Sequence, residues 1–456
     1  MRTRKFLYNS TATALMQIVA AVSGFIVIKT ILQYYGSEIN GLISSINQFI
    51  SYFRLIEAGL SGAAIYALYK PLAEKKHNKI NGIVSAAKQF YIKIGFIFLL
   101  AVFGLAIAYP FIVKINSFDY LTTSLLVLVL GMSGIFEFFT LAKYRVLLTA
   151  DQKTYVISLA TIVQLILYSS IIVTLSMLGF NIVIVMLIAI FSILLRSLVL
   201  RIYVKTNYNY INYSEVPDKS SLNRRWDVLY LEILGATQRG APIIIASIFT
   251  NLKLVSVYVI FDMVMKLVNN MLSIFNSGVS ASFGNVMARG ESKVLKKSYA
   301  EFEFMYYSVL AIVYSITFVT IMPFIRIYTQ GITDINYDIP FIGFLFVLNG
   351  ILYNIKTPQG MLVKAAGHFR ETRVQSTVQA LILLLFGIIL SPKFGLIGIL
   401  FSACLSNLYR AIDLFIYVPK KLTSLSIKST ITKLLNTTIK IFIICFPIQF
   451  IGFNPV

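Results

Sequence analysis

Arg54 and Glu57 stand one helical turn apart in the middle of an apolar run that extends over residues 39–69. An ionisable side chain at that depth of a bilayer costs about 2.5–3.5 kcal/mol on insertion scales, so it persists where it binds an anion, pairs with an opposite charge or lines a wet pathway. Arg54 carries the planar donor fork that engages phosphate oxygens in pairs. Glu57, at i+3, can pair with Arg54 or tune its charge. Arg239 lies about 12 residues, or roughly 18 Å, into a later run and is a second midplane cation. Asp262 and Lys266, at i and i+4, repeat the opposite-charge spacing, either as a structural bridge or as part of a cavity. Lys29 falls about 36 Å along a helix from Lys5, near the outer interface, where it either snorkels or lines an outward mouth. Arg54, Arg239, Lys266 and Lys29 are therefore the candidate substrate-binding cations. Glu57 and Asp262 are candidate counterions, or groups whose binding of H⁺ or Na⁺ couples to transport. The excess of cations over anions suits a doubly charged pyrophosphate. Arg196, Glu137, Lys356 and Arg410 with Asp413 fall in the inner halves of their runs, where contacts with cytoplasmic headgroups account for them.

The elements that hold these charges follow from composition. A chain that is 58% hydrophobic and 13% charged over 456 residues has lipid as its solvent. The formal charge of +22 is spread in short clusters between apolar runs, which fits membrane topology and excludes a nucleic-acid-binding domain. Cys404 and Cys445 lie in apolar runs and His77 and His368 in basic loops, so no disulfide framework, metal site or haem site can be built, and no cofactor is implied. The apolar run after Arg2–Lys5 is too long for a signal peptide and reads as a retained first helix.

A span needs about 20 apolar residues. Twelve such runs lie near 6–35, 39–69, 88–113, 121–142, 154–178, 181–204, 227–250, 254–287, 299–328, 339–362, 373–391 and 395–418. Alternate loops are basic: Lys70, Lys75, Lys76 and Lys79 fill one, Lys143, Arg145 and Lys153 another, and Arg289, Lys293, Lys296 and Lys297 a later one. The intervening loops are short and poor in Lys and Arg, which puts the N-terminus in the cytoplasm. The polar stretch 211–225 separates an N-terminal six-helix lobe, 1–210, from a C-terminal one, 226–420. A basic tail, 421–456, holds an apolar segment that could form a thirteenth span. Gly59-Leu-Ser-Gly-Ala63 echoes Gly278-Val-Ser-Ala-Ser282, and Arg196 and Tyr203 precede Arg410 and Tyr417 by 214 residues, close to the offset of 219 between the glycine strings. The fold class is thus an all-α integral membrane protein of two parallel six-helix repeats with a site between lobes.

The strings from Tyr34 to Gln48, from Glu57 to Ser61 and from Ala67 to Ala73 resemble bacterial polysaccharide-unit flippases, of the O-antigen and capsule type, within the multidrug, oligosaccharidyl-lipid and polysaccharide exporter superfamily. The span pattern agrees over residues 1–420. The resemblance implies two lobes around a central cationic cavity, alternating access and an undecaprenyl-pyrophosphate-linked oligosaccharide as cargo. It further implies membrane lipids as neighbours, and a polysaccharide polymerase and glycosyltransferases of the same pathway as partners, with no nucleic acid. The segment Arg54–Gly59 also resembles the second span of lipid II flippases, but departs from it in having Ala58 between Glu57 and Gly59. Members carry further cavity arginines in the first span, where this chain offers only Lys29. A multidrug antiporter of the same superfamily shares the fold but favours acidic cavity residues. A membrane polysaccharide polymerase, the enzymatic alternative, is expected to carry a large outward loop, which this chain lacks.

The loop asymmetry predicts that single cysteines at positions 75 and 296 stay unlabelled by a membrane-impermeant maleimide in intact cells, and that those at 119 and 334 react. Labelling at position 75 would reverse the orientation.

Overall fold

A computed structural model describes residues 2–218 and 226–428, with isolated positions as far as 439. The described residues form helices and connecting loops, without strands. The chain divides into two compact units, Met1–Glu232 and Ile233–Val456.

The first unit opens with α1 (Arg2–Phe53), whose 52 residues would reach about 78 Å, far beyond a hydrocarbon core of about 30 Å. It is broken at Gly36, where φ 83° and ψ 174° fall in a region that essentially only glycine occupies. The second arm is fastened just past that break. The buried Glu38 carboxylate accepts from the Asn116 backbone N–H at 2.6 Å and from Ser117 Oγ at 2.5 Å. A 3₁₀ turn, Arg54–Glu57, then separates α1 from α2 (Ala58–Ala73), and α3 (His77–Ile112) follows. The fourth span is continuous over Tyr120–Ala150: α4 (Tyr120–Phe136), a π-helical turn (Glu137–Leu141) and α5 (Ala142–Ala150). The unit ends with α6 (Thr154–Met177) and the span of α7 (Ile182–Ile190) and α8 (Ser192–Asn207). Tyr91, Phe98 and Tyr109 fill its interior, and Gly131 and Gly134 leave room on α4 for Val102 and Phe98 of α3.

The second unit contains most of α9 (Trp226–Phe249), then α10 (Leu252–Ala288) and α11 (Ser292–Tyr328). α12 (Pro340–Ile355) and α13 (Thr357–Ala365) form one span that changes direction at Lys356. α14 (Arg373–Val418) is broken at Gly395, φ 55° and ψ −132°, into the last two spans. Its core is built on Tyr299, Tyr306, Tyr307, Tyr314, Phe261 and Phe346.

Among the described residues the all-α architecture supplies helices for the twelve spans expected, α1 and α14 each providing two across their glycine breaks. The main difference is the C-terminal end of the fourth. It runs on past residue 142 because Tyr144, Val146, Leu147 and Leu148 are buried, so Lys143 and Arg145 sit on a helix and not in a cytoplasmic loop. The stretch after α8 is partly fastened to the first unit: Asn81 Nδ2 donates to the Tyr210 carbonyl at 3.0 Å, and the backbone N–H groups of Asn212 and Asp218 return to Asn81 Oδ1 and the Gly82 carbonyl, each at 3.1 Å. Residues 219–225, the side chains of Gly59 and Gly278 strings in part, and the apolar tail beyond residue 439 lie outside the described residues. The spacing of Tyr203 and Tyr417 has a local counterpart. Tyr203 Oη lies 3.1 Å from Tyr155 Oη at the start of the preceding span in its unit, and Tyr417 Oη lies 2.9 Å from His368 Nδ1 just before the preceding span in its own.

Gly36→Ala and Gly395→Ala should each lower the melting temperature of the detergent-solubilised protein, at a cost of about 1–3 kcal/mol per strained residue. Gly104→Ala, where an added Cβ meets nothing within 4 Å, is the control. Equal melting of all three would remove the conformational requirement.

Candidate functional site

The second and fourth spans both lose regular α-helical geometry where their charges face each other. Arg54 opens the 3₁₀ turn and Glu57 closes it, while Glu137 opens the π turn and Arg145 follows on α5. Such irregular turns inside long helices recur at hinges and functional sites. Arg145 joins the two spans: Nη1 donates to Glu137 Oε1 at 2.7 Å and Nη2 donates to Glu57 Oε1. Tyr91 Oη of α3 adds a bond to Glu57 Oε1 at 3.2 Å. Arg54 Nη1 lies 3.5 Å from Glu137 Oε2, and its Nη2 donates to Ser133 Oγ at 3.0 Å. Arg196 of α8 lies within the field of Glu137, Arg145 and Arg54, with Nη1 3.4 Å from Gln164 Oε1.

Arg54 and Arg145 thus pair with the two carboxylates, and Arg196, which makes no ion pair among the described residues, leaves one positive charge in excess. The members are not equivalent. The side chains of Glu57 and Glu137 are 13% and 15% exposed and Arg145 28%, whereas Arg54 is 38% exposed. The buried Arg54 Nε has no hydrogen-bond acceptor. Arg196 Nε is likewise without an acceptor, so Arg145 is the clamp, and Arg54 and Arg196 are the cations with donor capacity left over.

This arrangement corrects the expected Arg54–Glu57 pair. The 3₁₀ turn points the two side chains at different partners, so Arg54 engages Glu137 and Ser133 while Glu57 engages Arg145 and Tyr91. It also corrects the assignment of Glu137 and Arg196 to lipid headgroups. Arg145 and Tyr91 went unseen in the sequence because one looked like a loop cation and the other is one of 27 tyrosines. The signal that could have found Arg145 is the apolar sequence continuing after it.

In the second unit Asp262 and Lys266 do pair, at 2.7 Å, with Asp262 mostly buried and Lys266 exposed. Arg239 is exposed and has no carboxylate partner among the described residues. Its guanidinium folds back over Gly235, one turn earlier on α9, where an added Cβ would lie 3.4 Å from Nη1. Lys29 is half-buried on the first arm of α1. Lys356 and Arg410 were expected at headgroups but are held inside the unit. Lys356 Nζ donates to Asn407 Oδ1, whose amide reaches Asn349 at 2.8 Å, and the buried Arg410 pairs with Asp413 at 2.5 Å. Glu303 of α11, which the sequence reading passed over, is 1% exposed and accepts from Gln359 Nε2 at 3.0 Å.

No protein-family model matches the sequence, and no curated protein does. Solved structures do. The lipid II flippase MurJ, in an inward closed conformation, superposes with a TM-score of 0.68 at 14% identity, covering 94% of this chain and 91% of that one. An inward-facing multidrug resistance MATE transporter of the MOP superfamily gives 0.63 at 13% identity, covering 93% and 99%. The eukaryotic MATE transporter AtDTX14 gives 0.62 at 16%, covering 95% and 98%. The chain has the fold of MATE and MurJ transporters. At these identities the likeness carries the fold and not the cargo.

Arg145→Ala removes the guanidinium shared by two mostly buried carboxylates, a change that costs about 3–5 kcal/mol where a buried pair is broken. It should abolish the monodisperse peak in fluorescence-detected size exclusion. Arg54→Ala leaves Arg145 on both glutamates and should keep that peak. Equal behaviour of the two variants would contradict the division into clamp and free donor.

Proposed function

We propose that this chain is a flippase that moves undecaprenyl-pyrophosphate-linked oligosaccharide units from the cytoplasmic to the outer leaflet of a bacterial cytoplasmic membrane, by alternating access, for polysaccharide biosynthesis. Its N-terminus is cytoplasmic, and its cargo comes from glycosyltransferases and passes to a polysaccharide polymerase. The observation that carries this reading is the single excess positive charge of the Arg54–Glu137–Arg145–Glu57 cluster with Arg196, in which Arg54 is more exposed than the clamping Arg145. A planar fork in a medium of low dielectric attracts a pyrophosphate more strongly than it would in water. While cargo is absent, Glu137 and Ser133 hold Arg54. When cargo arrives, Arg54 turns its spare donors to the phosphate oxygens, and Glu137 keeps its bond to Arg145. The empty carrier then resets without an unpaired buried charge. Glu57 stays with Arg145 and Tyr91, so the resetting counterion is Glu137. Arg239, Lys266 and Lys29 are the further cations available to the cargo, and Asp262 the further coupling acid.

A multidrug antiporter has the same fold, and its cationic substrates require an available carboxylate. Both carboxylates of this cluster are engaged by arginine, which favours an anionic cargo.

The test is flipping of a fluorescent undecaprenyl-pyrophosphate oligosaccharide in proteoliposomes, read by quenching with a membrane-impermeant reductant. Arg54→Lys should keep part of the rate. Arg54→Ala should lose about ten- to a hundredfold, the worth of one or two charged hydrogen bonds, at unchanged protein level. Adding Glu57→Ala to Arg54→Ala should not restore flipping. Full flipping by Arg54→Ala would sink the assignment, and proton-driven uptake of a cationic dye without lipid flipping would replace it with the antiporter.

A further inference from the structure

A second group of cations lines a cavity of the first unit, at the end that the loop asymmetry assigns to the cytoplasm. α3, the π turn with α5, and α8 enclose a cavity of about 610 Å³, roofed by the chain from Tyr208 to Tyr213. Lys88 comes from α3, Lys143 from α5, and Arg201 and Lys205 from α8, and no lining residue is acidic. No carboxylate among the described residues lies within ion-pair distance of these four. The carboxylates nearest Lys143 in sequence are engaged elsewhere, Asp151 by Lys5, Lys153 and the Tyr208 hydroxyl and Glu137 by Arg54 and Arg145, and Glu215 and Asp218, which follow the roof, do not line the cavity.

The cavity is a built feature. Its roof is tied to α3 through the two bonds of Asn81, and to the end of α5 by Tyr208 Oη, which donates to Asp151 Oδ2 at 2.6 Å. Burial and the Asp151 carboxylate push the Tyr208 phenol above its ordinary pKa, so it remains a donor. Lys143 Nζ is placed between two rings, 5.0 Å from the centroid of Tyr144 and 5.4 Å from that of Tyr213. Four like charges held in one cavity repel one another, and they are stabilised together by an anion that accepts from several of them. Arg201 supplies a fork and the lysines compact point charges, a combination suited to phosphate oxygens. The volume lies within the ordinary range for a small-molecule site.

We infer that this cavity binds a phosphate-bearing anion, with the headgroup of an acidic phospholipid as the source favoured by its surroundings. Arg201 and Lys205 occupy the last two turns of α8, and the adjacent face of the same helix carries the exposed apolar side chains Leu194, Leu198 and Ile202 at helical spacing. A headgroup in the cavity would lay its acyl chains along that face. Basic pockets between helices on the cytoplasmic side are the recurrent form of such sites. This inference does not depend on the flippase reading, since it uses none of the residues assigned to the cargo.

The experiment uses the full-length chain and two probes. In the first arm, native mass spectrometry counts phosphatidylglycerol against phosphatidylcholine retained from mixed nanodiscs. The wild-type protein should retain the acidic lipid in preference. Lys143→Gln with Arg201→Gln should weaken that retention about a hundredfold, the effect of losing two charged contacts of about tenfold each. Lys143→Arg with Arg201→Lys, which keeps both charges, should retain it, as should Lys296→Gln with Lys297→Gln on α11. In the second arm, inorganic pyrophosphate is titrated by calorimetry into delipidated protein. Binding of pyrophosphate with no lipid preference would support the anion site and assign it a soluble ligand. Neither binding, or equal loss in the α11 control, would overturn the site. Loss of retention in the charge-conserving variant as complete as in the glutamine pair would also overturn it, because four positive charges in one cavity are the basis of the site and the Arg201 fork only adds to them.

Discussion

The geometry of the first unit depends on one guanidinium. Arg145 is shared by Glu57 and Glu137, which belong to different spans, and each of those carboxylates would be strongly unfavourable in lipid without it. That requirement brings the second and fourth spans together at the level where both are irregular. A 3₁₀ turn and a π turn are poorer hydrogen-bonding arrangements than an α-helix. They occur here where side-chain charges must converge from helices whose regular periodicity would point them elsewhere. Arg54 can be left with an unused donor because Arg145 bonds both of the site's acids, so that Arg54 need engage Glu137 with only part of its fork.

The same logic is distributed differently in the second unit. There the buried polar groups are mainly amides and phenols, with Asn354, Gln359, Asn407 and Gln379 bonding to one another, to tyrosines and to Glu303 and Lys356. Neutral groups satisfy one another at a lower desolvation cost than ions do. The two units have comparable orders of spans but unlike interiors, the first built on arginine–carboxylate pairs and the second on an amide network.

Much of the architecture was legible in the sequence, because apolar length and the placement of Lys and Arg are direct consequences of a bilayer solvent. All twelve spans could be located, and the Asp262–Lys266 pair follows from helical spacing alone. The partners of Arg54 and Glu57 were not legible. Spacing of i+3 places them together only if the helix is regular, and the 3₁₀ turn that separates them is enforced by contacts with another span. Arg145 was hidden by the rule that made the loops readable: a basic residue at the inner end of a span looks like a topological marker until its buried neighbours are considered. Lys356 and Arg410 were misplaced for the same reason.

Gly36 has a consequence for how such chains can change over time. It replaces a loop, so the second arm of α1 starts from one backbone position instead of a flexible connection, and Glu38 fastens that start. Each inserted or deleted residue between Gly36 and Arg54 would rotate everything beyond it by about 100°, the angle per residue of an α-helix. A single such step would carry Arg54 away from Glu137 and Ser133, and no slack exists at the break to absorb it. The distance along the chain from that glycine to that arginine is therefore under a stricter constraint than the identity of most residues between them. Length can drift in the connection before α3, but the one after it carries Asn116 and Ser117, which hold Glu38, and within the arm substitution is the only tolerated change.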